Sequence, residues 1–178
     1  ISPFALQQFL RRLVNERCEY AVVEMSSHGL VQGRVNFTYP LIGGITNTSL
    51  EHLDYHGSMQ QHREDKGRML QMLQTGGTKV LNAQDDSYSL YNNIPTTHTI
   101  AYGNDDSDLS VTDIKADAKS SRASLQSGNE RHALELSIPG TFNLENALCA
   151  IGCTKALGIP LEQSVSTLQT FKALPGRM

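Results

Sequence analysis

Residues 24–35, EMSSHGLVQGRV, bring a carboxylate, two hydroxyls, an imidazole, an amide and a guanidinium together just after the apolar run 20–23. That variety suits a ligand with several kinds of polar surface, and Glu24 adds a hard oxygen of the sort magnesium takes. A second polar group follows another apolar run, LIGGIT from Leu41: Asn47, then His52, Asp54 and His56. His52 offers a nitrogen ligand, and magnesium uses only one or two protein ligands because water and substrate phosphates complete its octahedron. The plainer alternatives are a turn cap for Glu24 and a surface loop for His52. His52 and His56 also invite a zinc reading, but helical zinc-hydrolase chemistry requires Glu directly after the first His, where Leu53 stands.

Lys66 falls on the same helical side as Met59, His62, Met69, Leu70 and Leu73. An ammonium turned inward near a bound cation is repelled and tends to lose its proton, so it needs a partner or a modification. A lysine stem lying over apolar surface is the simpler alternative. Cys149 and Cys153 are four apart on a helical segment; two such ligands do not make a structural zinc site, and core packing is the expectation.

These groups matter only if secondary structure gathers them. Ser2 and Pro3 start a helix with Leu6, Phe9, Leu10, Leu13 and Val14 on one stripe, ending near Arg17. The run 20–23 predicts a parallel strand covered on both faces, with Glu24 at its carboxyl end. LIGGIT predicts a second strand, residues 58–74 a helix, TKVLNA a strand, DDSYSLYNN a short helix and THTIAYG a strand. Residues 108–138 predict an antiparallel extension with a hairpin turn at SGNE. Two further helices follow: TFNLENALCAIGCTKALG, with Leu144, Leu148 and Ile151 aligned, Asn143 and Asn146 on another face and Gly158 as its stop; and IPLEQSVSTLQTF, with Leu161, Val165 and Leu168 as its stripe. In open α/β sheets the ligand crevice lies beyond the carboxyl ends of the strands, where Glu24 and the segment after Asn47 would meet.

The 178 residues are enough for one domain with a real core, and 39% hydrophobic with 19% charged residues is ordinary globular composition. A net charge of -3 supplies no basic stripe for nucleic acid, and no apolar run is long enough to insert in a membrane. Three cysteines without a disulfide pattern fit reduced thiols in the cytoplasm. No signal-peptide order opens the chain, which starts in mid-pattern like a segment of something longer.

In chain order, VVEMSSHGLVQGRV, TNTSLEHLDYHGSMQQHREDKGRML, GTFNLENALCAIG and LPGRM resemble the central domain of the Mur ligases, specifically the MurE type, the UDP-N-acetylmuramoyl-tripeptide synthetases. The resemblance implies an α/β fold of the P-loop ATP-binding type, a mostly parallel sheet flanked by helices, spanning residues 1–178 and truncated at its N-terminus. It implies an enzyme that uses ATP and Mg²⁺ to activate the carboxylate of UDP-N-acetylmuramoyl-dipeptide as an acyl phosphate, which an amino acid's amine then attacks. By the same resemblance Glu24, His52 and Lys66 are magnesium ligands, Lys66 as a carbamate, with His52 and Lys66 catalytic. Ser26, Gln32 and Arg34 hold the UDP-muramoyl substrate, Asn143 and Asn146 the adenine side of ATP, and Arg177 its phosphates. A monomer is expected.

The glycine-rich Lys-Thr loop of the family is absent and would precede Ile1, and the domain that brings the amino acid would follow Met178. Ile1-Ser2 stands where two threonines usually precede the proline, and SLEH replaces Arg-Asp before the histidine, Glu51 keeping the charge. The isolated segment is therefore expected to be inactive and, with its sheet partly exposed, marginally stable. The alternatives are a related ligase of the folylpolyglutamate or cyanophycin synthetase kind, against which SSHGLVQGRV speaks, and a non-catalytic module that binds the UDP precursor. The added amino acid, diaminopimelate or lysine, is open at this point.

Overall fold

The computed structural model describes residues 2–48 and 57–172. In order these form α1 (Pro3–Asn15), α2 (Ser27–Val31), β1 (Ile42–Ile45), α3 (Met59–Gln71), β2 (Thr78–Asn82), α4 (Tyr88–Asn92), β3 (His98–Tyr102), β4 (Ser110–Ala116), β5 (Ser121–Ser127), β6 (Glu130–Leu136), α5 (Thr141–Ala156) and α6 (Leu161–Gln169). Strands β1, β2 and β3 pair in that order as a parallel sheet, and β4, β5 and β6 as an antiparallel one. The expected βα alternation and antiparallel extension are both present.

Helices cover the parallel sheet on both faces, which is why all five residues of β2, TKVLN, are buried. Alternate side chains of a strand point to opposite faces. Val80 accordingly joins the core formed with Leu109, Leu125, Leu136, Leu148 and Ile151, while Leu81 joins the one formed with Leu6, Leu30, Ile45, Met69, Leu70 and Tyr91. The first core lies between α5 and both sheets, and α6 closes it by packing on α5 and β6. Helix α5 comes close to β2 because Gly152 faces Val80: a Cβ there would stand 2.5 Å from Val80 Cγ1. Leu144, Leu148 and Ile151 are buried as the spacing predicts, and Gly158 ends the helix at φ 76°. Cys149 is buried and Cys153 half-buried, both facing Gly44 of β1, and all three cysteines are free thiols.

Two expectations need correcting. The run 20–23 is not a strand: it is irregular, Tyr20 is 59% exposed and Val22 fully so. A strand exists through its ladder, and no strand among the described residues pairs with this run, so consecutive β-branched residues alone do not make one. Helix α1 forms from the Ser2 cap and Pro3, but of its stripe only Leu6 is buried; Phe9 and Val14 are exposed. Its C-terminus is closed through Arg17 at φ 58°, whose N–H bonds Val14 O while that of Cys18 bonds Leu13 O. No helix among the described residues is long and apolar enough to cross a membrane.

Candidate active site at the carboxyl ends of the parallel strands

Four side chains converge on the segment that leaves β1, three of them on its backbone. Tyr102, at the end of β3, donates its hydroxyl to Ile45 O at 3.2 Å and Thr46 O at 3.3 Å. Asn82, at the end of β2, donates its amide to Thr46 O at 3.1 Å and accepts from Gln84 N at 2.9 Å. Asp85 accepts from Thr48 N at 2.7 Å through one carboxylate oxygen and from Ser87 N at 2.8 Å through the other. Tyr91 of α4 shares a hydrogen bond of 3.0 Å with Thr48 Oγ1. The carboxyl edge of the sheet is thus a floor of satisfied backbone groups.

Lys66 reaches the same place from α3. Its Nζ donates to Asn47 O at 2.6 Å, so this half-buried residue has the partner that an inward lysine requires. Its helix starts at Ser58, whose hydroxyl caps Gln61 N, and buries His62, Asp65, Met69 and Leu70 on its inner face. Burial raises the Tyr91 phenol above its ordinary value, against the hydrogen bond with Thr48, which favours its ionised form.

The SSHGLVQGRV block folds as one unit. Ser26 Oγ accepts from Gly29 N at 3.2 Å and so caps α2; at the other end Gly33, at φ 66°, allows its own N–H to bond Leu30 O and that of Arg34 to bond Gly29 O at 2.8 Å. The exposed Gln32 and half-buried Arg34 are therefore set at the C-terminal turn of a five-residue helix that packs on α3. Glu24 lies exposed in the irregular segment before the Ser26 cap, not at a strand end as its spacing predicted.

Asn143, in the first turn of α5, donates its side-chain amide to Pro139 O at 2.6 Å, and Asn146 is exposed one turn on. His52 and Arg177, with Asp54 and His56 of the zinc reading, lie outside the described residues. Among the described residues no three His, Cys, Asp or Glu side chains gather as a metal-binding group. A groove beside Leu73, Gln74, Pro95 and Thr97 lies at the amino-terminal edge of the sheet, away from Lys66.

Asp85, Tyr91 and Lys79 are not visible in the motif reading. Lys79, buried inside β2, donates to Tyr91 O, Asn92 O and Ile94 O at 3.2, 2.6 and 2.7 Å, closing the C-terminal end of α4. The signals were there: a charge within an apolar strand, and NAQDD beyond a buried one.

A parallel sheet with helices on both faces and polar groups collected at its carboxyl ends is the architecture of a nucleotide- or coenzyme-type α/β domain. Residues 2–154 match the Mur ligase middle domain, and the chain belongs to that family. It is 32% identical to UDP-N-acetylmuramoyl-L-alanyl-D-glutamate--2,6-diaminopimelate ligase of Nostoc sp. and 34% identical to the ligase of the same name from Synechococcus elongatus, over 99% of this chain in both cases. It spans 37% and 36% of those two proteins. A solved structure of a 2,6-diaminopimelate ligase of that name superposes on the whole chain with a TM-score of 0.89 at 28% identity, the chain covering 38% of it. MurF from Acinetobacter baumannii shares the fold, with a TM-score of 0.74 at 24% identity over 78% of this chain and 31% of its own.

Proposed function

We propose that the chain is the central, ATP-binding part of a ligase that joins an amino acid to UDP-N-acetylmuramoyl-dipeptide during synthesis of the peptidoglycan precursor. The relatives' names favour 2,6-diaminopimelate as that amino acid. The observation that carries the reading is Lys66 held at the carboxyl end of β1, within a chain of this family.

In the proposed reaction, a carboxylate oxygen of the dipeptide attacks the γ-phosphorus of ATP and ADP leaves. The amine of the incoming amino acid then adds to the acyl phosphate carbon, and inorganic phosphate departs as the amide forms. Ser26, Gln32 and Arg34 hold the UDP-muramoyl substrate; Asn143 and Asn146 take the adenine side of ATP, and Arg177 its phosphates. The chemistry of the donors fits Mg²⁺ under one condition. A protonated Lys66 would repel the ion, whereas a neutral Lys66 amine adds to CO₂, forms an N–C bond, releases one proton and becomes an anionic carbamate. That carbamate, Glu24 and His52 would hold Mg²⁺, a sparse set of the kind this ion accepts with phosphates and water. When bound, the ion supplies positive charge against the phosphates. The polypeptide works as a monomer in the cytoplasm.

Replacing His52 or Lys66 by Ala in the full-length enzyme should lower turnover by about 10²-fold or more. Short carboxylates should restore part of the activity of Lys66→Ala. Near-normal turnover in both variants would remove their roles, and no rescue of Lys66→Ala would count against the carbamate.

A further inference from the structure

We infer that Asp85 is a positioning residue for Lys66, acting through the plane of a single peptide group, with Tyr91 as its support. The inference rests on the reading of Lys66 given above. The Asn47 carbonyl that accepts from Lys66 Nζ at 2.6 Å and the Thr48 N–H that donates to Asp85 at 2.7 Å belong to the same peptide unit. In a trans peptide these two groups lie in one plane and point in opposite directions. Fixing the N–H on one side therefore aims the C=O on the other. The anionic acceptor also strengthens the carbonyl as an acceptor, because hydrogen bonds in a chain polarise one another.

The anchor is itself fixed. Asp85 cannot swing freely, since its second oxygen holds Ser87 N at 2.8 Å. Thr48 is buried, and its hydroxyl is held by Tyr91, which is 2% exposed. Tyr91 in turn belongs to a helix whose last carbonyls are bound by Lys79 from inside β2. The plane of the 47–48 peptide is thus tied to the rigid centre of the sheet.

The chemistry makes that plane matter for Lys66. A carbamate nitrogen keeps one N–H, which can donate to the same Asn47 carbonyl, and the carbamate is planar. An aimed carbonyl therefore sets the direction in which the new carboxylate faces. A misaimed one leaves the amine or its carbamate rotating about the lysine stem.

The test uses the full-length enzyme with Asp85→Ala, Tyr91→Phe, Lys66→Ala and the double variant of Asp85 and Lys66, measured at several bicarbonate concentrations. Asp85→Ala should lower kcat about 10- to 100-fold, the loss expected from a misplacement of about 1 Å, with KM for ATP and the UDP precursor nearly unchanged. It should also raise the bicarbonate concentration needed for half-maximal activity, which a merely structural role would not do. In the Lys66→Ala background, Asp85→Ala should add little further loss, because residues that act as one unit are not additive. Tyr91→Phe, which keeps its shape, should move kcat and the bicarbonate requirement in the same direction by less, and answers the question if Asp85→Ala fails to fold.

Effects of Asp85 and Lys66 that multiply in full, an unchanged bicarbonate requirement, or a wild-type kcat in Tyr91→Phe together with Asp85→Ala would overturn the inference while leaving the Lys66 reading intact. Near-normal turnover of Lys66→Ala alone would overturn both, and shows itself in the single variant.

Discussion

An ammonium inside a buried strand is tolerated only where oxygen atoms surround it, and Lys79 meets that condition with three main-chain carbonyls at the end of α4. Burial pushes its amine below the ordinary lysine range. Lys79→Met would leave those carbonyls without their donor, and should lower stability by roughly 2–4 kcal/mol in urea unfolding, since each lost bond strands a buried acceptor; a loss under about 0.5 kcal/mol would contradict the cap. Tyr91 gives a pH signature of the same region. Its phenol titrates higher in the folded chain than in the unfolded one, so below about pH 10 it is neutral in both states and has no effect. Above about pH 10 the unfolded chain loses that proton first, and stability falls as pH rises. The urea midpoint should therefore fall less steeply above about pH 10 in Tyr91→Phe than in the native sequence, and equal slopes would argue against a buried, proton-holding phenol.

At the scale of elements, α2 is a five-residue helix that stands because the block around it supplies both caps. Gly33 is the residue that no other type replaces without strain, at φ 66°. Gly33→Ala should cost about 1 kcal/mol and, by shifting the turn that carries Gln32 and Arg34, raise KM for the UDP precursor more than it lowers kcat. An unchanged KM would detach this helix from substrate binding. The same block shows how far a sequence reading reaches. Its polar residues were legible as a group that could bind, and α3, β2, β3, the hairpin at Gly128 and α5 were legible from periodicity and turn residues. The run 20–23 was misread because its apolar pattern describes a covered strand, whereas covering depends on a neighbour that local pattern does not contain. Asp85 escaped notice for a related reason: its work is to hold the 47–48 peptide, a contact across 37 residues that no spacing rule marks.

Over the whole molecule, two cores lie on opposite faces of one parallel sheet, and Lys66, Asn47 and Asp85 meet at its carboxyl edge. The buried residues of β2 make that edge stiff, so a reacting group placed on it is placed once and held. The chain spans 37% of its Nostoc relative, and the reaction proposed belongs to a polypeptide of that longer kind. Phosphate release from ATP by the full-length enzyme is the direct measurement, made with UDP-N-acetylmuramoyl-dipeptide, with 2,6-diaminopimelate, and with both. Sustained release only when both are present, matched by formation of the amide product, is the result expected. Release that proceeds without the UDP precursor, or that requires a folate-type acid instead, would contradict the account.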